Sequence, residues 1–102
     1  MIVRVDIDNT ICHTDGMDYE NSKPFFRRIQ IINDLYNLGH TVIYWTSRGV
    51  GSGNDYSKLT ENQLNLWGCL YHKLELNKPL FDTFIDDKAF NSNSFFNEIK
   101  NH

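Results

Sequence analysis

Four short stretches of the chain carry residue types that can do chemistry together: Asp6-Ile7-Asp8, Thr46-Ser47-Arg48, Lys78 and Asp86-Asp87. Side chains two apart on a strand point to the same side, so Asp6 and Asp8 would share one face. Two carboxylates so placed repel each other unless a cation or a shared proton relieves them. Taken alone, the pair reads as a turn cap beside a solvated acid. Asp86-Asp87 repeats the pattern at the end of a second apolar stretch, which weakens that reading. Acids gathered on one edge call for a hard divalent cation, and Mg²⁺ suits an all-oxygen site. Thr46 can donate its hydroxyl to a phosphoryl oxygen, Ser47 and Arg48 can grip the same anion, and Lys78 adds an ammonium. Singly, Thr46 reads as a strand residue or a helix cap, and Lys78 as a solvated turn lysine. The glycine-rich loop 49–53 has backbone N–H groups to offer, but it lacks a Walker pattern.

The elements that must hold these residues alternate between strand and helix. Residues 2–7 are β-branched and mostly apolar, as in a buried strand. A polar loop covers 11–23. Ser22 and Pro24 mark the start of a helix whose apolar face carries Phe25, Ile29, Ile32 and Tyr36, and Gly39 ends it. Residues 41–45 predict a second buried strand. Thr60 with Gln63 spells a capping box, so a short helix should run to Trp67 and stop at Gly68. Residues 70–75 read as a weak third strand and 82–86 as a fourth. Phe95, Phe96 and Ile99 form the apolar face of a short last helix.

This order predicts an α/β three-layer sandwich with a parallel, Rossmann-like sheet of about four strands. Such sheets bind ligands at the carboxyl ends of their strands, where Asp6/Asp8, Thr46 and Asp86/Asp87 all fall.

Composition narrows the function classes. The 102 residues are 40% hydrophobic and 23% charged, which suits one globular domain over 1–102 and excludes a disordered or collagen-like chain. No apolar run approaches the length of a membrane span, and no secretory signal is visible. The net charge of -3 argues against general phosphate-backbone attraction, and so against nucleic acid as partner. Two cysteines, Cys12 and Cys69, without a CxxC, read as reduced thiols in a cytoplasmic protein.

Together these residues resemble the haloacid dehalogenase superfamily. Asp6-Ile7-Asp8-Asn9-Thr10 after an apolar strand looks like its DxDxT motif, Thr46 stands where it has a Ser/Thr, Lys78 where it has a lysine, and Ile85-Asp86-Asp87 where it has its acidic motif. The wording Trp45-Thr46-Ser47-Arg48-Gly49 and Ile85-Asp86-Asp87-Lys88-Ala89 is most similar to small phosphatase-like members associated with capsular or surface polysaccharide synthesis. The resemblance implies that Asp6 is the nucleophile forming an aspartyl-phosphate and Asp8 the general acid, then base. It implies Mg²⁺ held by Asp6, the Asp8 carbonyl, and Asp86 or Asp87, with Thr46 and Lys78 on the phosphoryl oxygens. An acid at position 8 favours phosphate-ester cleavage over dehalogenation, because an alkoxide needs a proton and a halide does not.

The insertions are too short for a cap domain. An open site suits a bulky substrate, or a homo-oligomer that encloses a small one. The expected function is a Mg²⁺-dependent phosphatase acting on a phosphate monoester, with a sugar phosphate favoured. Its rivals are a nucleic-acid 3′-end phosphatase and a non-catalytic module that binds Mg²⁺ or phosphate. His13 reads as a surface histidine, Asp15, Asp18 and Glu20 as a solvated loop, and Trp45, Trp67, Phe25, Phe26 and Phe84 as core.

Overall fold

The computed structural model describes residues 1–97. Strand β1 (Ile2–Val5) is followed by two short strands, β2 (Cys12–His13) and β3 (Lys23–Pro24), with a 3₁₀ turn over Tyr19–Asn21 between them. Helix α1 (Phe26–Asn37), strand β4 (Thr41–Trp45), helix α2 (Ser57–Leu66), strand β5 (Lys73–Glu75) and helix α3 (Ser92–Phe96) complete the order. The main sheet has three parallel strands in the order β1-β4-β5, and β2 pairs antiparallel with β3. Ile2 pairs with Thr41 and Val5 with Tyr44, while Trp45 pairs with Glu75. This register brings Asp6, Thr46 and Leu76 to one edge, each just past the end of its strand. No helix among the described residues is long and apolar enough to cross a membrane.

The core follows from the apolar periodicities. Val5, Ile7 and Ile11 from the first segment meet Ile29 and Ile32 of α1, Val42 and Tyr44 of β4, and Leu64, Trp67 and Cys69 around the end of α2. Leu38 and Gly39 close α1 by donating to Asp34 O and Tyr36 O, with Gly39 at φ +97° as the expected left-handed stop.

Several boundaries differ from the sequence reading. Pro24 belongs to β3, so α1 begins at Phe26. Thr60 and Gln63 do not cap α2. They lie inside it, both buried, because Asp55 starts the helix by accepting from the Ser57 N–H and hydroxyl. Trp67 is in the core, whereas Phe26 and Phe84 are exposed.

Residues 82–86 are not a strand, so among the described residues the sheet has three strands rather than four. Ile85 is 91% exposed and Phe84 52%. The local chain satisfies itself instead: Asp86 Oδ1 accepts from the Lys88 N–H, and Phe81 stacks on Phe84. Two adjacent apolar residues between acids do not give a strand one continuous buried face. Among the described residues, the edge of β1 opposite β4 carries no neighbouring strand.

The chain closes on its own core at α3. Asn91 caps it by accepting from the Asn93 N–H, and Phe96 is buried. Arg28 joins three parts by donating to Thr10 O and Asn93 Oδ1 while its guanidinium lies 4.8 Å from the Phe96 ring. Ile99, expected on the same apolar face, lies outside the described residues.

Candidate functional site

The first acid pair sits on a turn built to aim it. After β1 the chain turns at Asn9, which takes a left-handed φ of 60° tolerated by asparagine. The N–H groups of Thr10 and Ile11 both donate to Ile7 O, so the chain folds back sharply. This brings the Thr10 hydroxyl to Asp6 Oδ2 at 2.8 Å. Asp6 Oδ1 faces the Lys78 ammonium at 3.3 Å. Asp6 is thus oriented by a hydroxyl on one oxygen and a cation on the other.

Lys78 is held in place from several sides. Its N–H donates to Thr46 O, and its own carbonyl accepts from the Ser47 hydroxyl at 2.8 Å. Its ammonium lies 5.6 Å from the Trp45 ring and 5.4 Å from Phe81, within cation–π range. Ser47 therefore shapes the lysine turn, with its hydroxyl proton committed to the Lys78 carbonyl. Thr46 is 1% exposed, and its hydroxyl accepts from the Arg48 N–H at 3.2 Å. It secures the turn out of β4. The tight geometry continues at Gly49, where a Cβ would stand 2.1 Å from Asn54 O and φ is +84°.

Asp8 faces a different partner. Arg48 donates from Nε to Asp8 Oδ2 at 3.0 Å and from Nη2 to Oδ1 at 2.8 Å, a two-pronged charge-assisted pair. Thr14 adds a hydroxyl to Oδ1 at 2.7 Å. The Arg48 side chain is 0% exposed and Asp8 21%. Beside them, burial pushes the Cys12 thiol above its usual range, against an opposing hydrogen bond with Thr14. Burial likewise pushes the Tyr19 phenol up, reinforced by the nearby Asp8 charge.

The structure brings Asp6, Asp8, Thr46, Ser47, Arg48 and Lys78 to one edge of the sheet. It does not bring Asp86 and Asp87 into a cluster with them. Asp86 accepts from its own turn, and Asp87 lies 3.9 Å from Lys88 on an exposed segment. A concavity on that segment, lined by Phe84, Ile85, Asp86, Ala89, Phe90 and Asn91, includes none of the residues at the sheet edge. Among the described residues, no three of His, Cys, Asp or Glu are grouped so as to hold a metal ion. Both Asp8 oxygens already accept from Arg48, and Asp6 is paired with Lys78, so this arrangement does not by itself form the expected Mg²⁺ site.

Sequence reasoning missed the residues that surround Arg48: Thr14, Ser22, Thr60, Gln63 and Tyr19. The one signal was the Thr60–Gln63 spacing, which places two polar side chains on the same helical face. That spacing serves a cap and a buried polar cluster equally well. The remaining loop residues behave as expected. Asp18 accepts from the Asn21 side chain, and His13 pairs with Asp15 at an exposed 3.0 Å contact.

No known family model and no curated protein matches the sequence. A crystal structure of an MCSG target from Vibrio cholerae is similar to it, with a TM-score of 0.84 and 21% identity, covering 98% of this chain and 94% of that one. That likeness is one of fold, which a second protein shares.

Proposed function

We propose that the chain is a hydrolase of phosphate monoesters, favouring a sugar phosphate, in which Asp6 receives the phosphoryl group. The observation that carries this reading is the Asp6–Lys78 pair at 3.3 Å, with Thr10 steadying the second oxygen of Asp6. A nucleophile beside an ammonium at the carboxyl edge of a parallel sheet suits a phosphoryl group. The resemblance to haloacid dehalogenase superfamily phosphatases supports the same roles for Asp6, Asp8, Thr46 and Lys78.

In this reading Lys78 draws in the phosphoryl oxygens of the ester. An Asp6 oxygen forms a bond to phosphorus as the bond from phosphorus to the leaving oxygen breaks, and Asp8, which takes up a proton from solvent as the ester binds, gives it to that oxygen. Water then attacks the aspartyl-phosphate, Asp8 takes its proton, and inorganic phosphate leaves with Asp6 restored. The resemblance would have Mg²⁺ held by Asp6, the Asp8 carbonyl and Asp86 or Asp87; since Asp86 and Asp87 lie apart from Asp6, the described residues do not form that site, and the steps above are those of the chain's own groups. Two buried, unpaired thiols, Cys12 and Cys69, support a cytoplasmic setting.

The test is turnover of p-nitrophenyl phosphate and of sugar phosphates by purified protein, with and without added Mg²⁺. Asp6→Asn should abolish turnover. Equal activity in that variant would overturn the proposal, and binding of phosphate without turnover of any ester would favour the non-catalytic module.

A further inference from the structure

We propose that Arg48 is a positioning residue for Asp8, coupling it to α2 and to the 19–22 turn, rather than a contact to substrate. This rests on the phosphatase reading above. An arginine has five N–H donors in a fixed fork and accepts nothing. Here five acceptors meet them: Asp8 Oδ2 and Oδ1, Thr60 Oγ1 at 3.0 Å, Gln63 Oε1 at 2.6 Å and Ser22 Oγ at 3.4 Å. The Tyr19 ring lies 4.8 Å from the guanidinium carbon and covers its face. With its side chain 0% exposed, Arg48 has no donor left for a ligand.

The surrounding bonds close into rings. Arg48 donates to Ser22, Ser22 to Thr14 at 2.6 Å, and Thr14 to Asp8. Gln63, which accepts from Arg48, donates its own amide to Tyr19 O at 2.6 Å. Asp8 is therefore fixed by a frame that spans the β1 turn, the 3₁₀ segment and α2.

The frame also distinguishes the two oxygens of Asp8. Oδ1 accepts from both Arg48 Nη2 and Thr14, with the Cys12 thiol a third donor at 3.8 Å, so its lone pairs are taken. Oδ2 accepts from Arg48 Nε alone among the described residues. Its free lone pair is the place for the proton that Asp8 gives to the leaving oxygen and later takes from water. Lysine keeps the charge of Arg48 but not the fork, so it cannot hold both oxygens in this orientation.

The experiment compares Arg48→Lys and Asp8→Asn on two esters. A p-nitrophenolate leaves with little help from an acid, whereas the alkoxide of glucose 6-phosphate needs the proton. Arg48→Lys should lose about a hundredfold in kcat/KM on glucose 6-phosphate, while kcat/KM for p-nitrophenyl phosphate changes only a few-fold, because this ratio reports the steps up to departure of the leaving group and not the aspartyl-phosphate hydrolysis that both esters share. Gln63→Leu, which keeps both Arg48 and Asp8, should show the same selectivity to a smaller degree and serves if Arg48→Lys does not fold. Equal losses on the two esters would overturn the proposal. If the wild-type protein turns over neither ester, the phosphatase reading itself fails. Urea unfolding of the Arg48→Lys and Asp8→Asn singles and double then still decides the coupling: non-additive losses support it, and additive losses overturn it.

Discussion

The Lys78 ammonium stands 3.3 Å from Asp6 Oδ1, although the two residues come from opposite ends of the sheet order, one after β1 and the other beyond β5. The backbone explains how they meet. β4 lies between them, and the Lys78 N–H is fastened to Thr46 O at the end of that strand. The pair therefore depends on the register of three parallel strands.

Removing the charge at this point should cost activity more than stability. Lys78→Met should lower kcat/KM for p-nitrophenyl phosphate by about 10²–10³-fold, the usual effect of deleting one group that stabilises developing charge. Lys78→Arg should recover only part of it. A variant with unchanged kcat/KM would remove Lys78 from the site.

Breaking the buried pair should instead cost stability. Arg48→Met leaves Asp8, Thr60 and Gln63 without their shared donor. The expected loss is about 3–5 kcal/mol, as for other buried pairs stripped of one partner. Urea unfolding measures it, and a loss under about 1 kcal/mol would mean that the cluster is not formed as described.

Gly49 makes a sharper steric prediction. At φ +84°, with a Cβ due 2.1 Å from Asn54 O, Gly49→Ala must move backbone and not merely a flexible side chain. A loss of about 2 kcal/mol or more in chemical denaturation is expected. Gly39→Ala, with nothing within 4 Å of its Cβ, should lose less.

The exposed segment offers the opposite test. Ile85 is 91% exposed, so Ile85→Asp should change stability by no more than about 0.5 kcal/mol. A large loss would show that residues 82–86 pack as the strand their composition suggested.

Alkaline pH should weaken the fold through Cys69. Burial pushes its thiol from 9.0 up to about 11 in the folded chain. The folded state then holds the proton over a range in which the unfolded chain has released it. Stability from this group is complete below about pH 9 and is lost as pH rises towards 11. The loss is on the order of 2 kcal/mol. Comparing the pH slope of unfolding in wild type and Cys69→Ala isolates it; identical slopes would sink the assignment.

What the sequence made legible was the part governed by periodicity. The strands at 2–5 and 41–45 and the α1 face of Ile29 and Ile32 follow from runs of buried apolar residues. Asp6, Asp8 and Thr46 fell at the sheet edge because their strand ends could be located, whereas Lys78 was expected only in a turn before a fourth strand that does not form. The misreadings came from local patterns that two environments share. Thr60-x-x-Gln63 serves a cap or a buried cluster, and only the distant Arg48 decides between them. Residues 82–86 carry strand-like composition, but a strand also needs a sheet edge to pair with, which composition does not show. The β2–β3 pair is two residues on each side, too short for any period to show.

The four charges at the sheet edge sum to nothing: two carboxylates, one ammonium and one guanidinium. An arriving dianion is therefore not met by surplus positive field, and it gains attraction only by drawing Lys78 away from Asp6. Capture and unmasking are then a single exchange of partners, in which the acid is bared at the moment an electrophilic phosphorus is beside it. Until such a guest arrives, the resting pocket is electrically quiet.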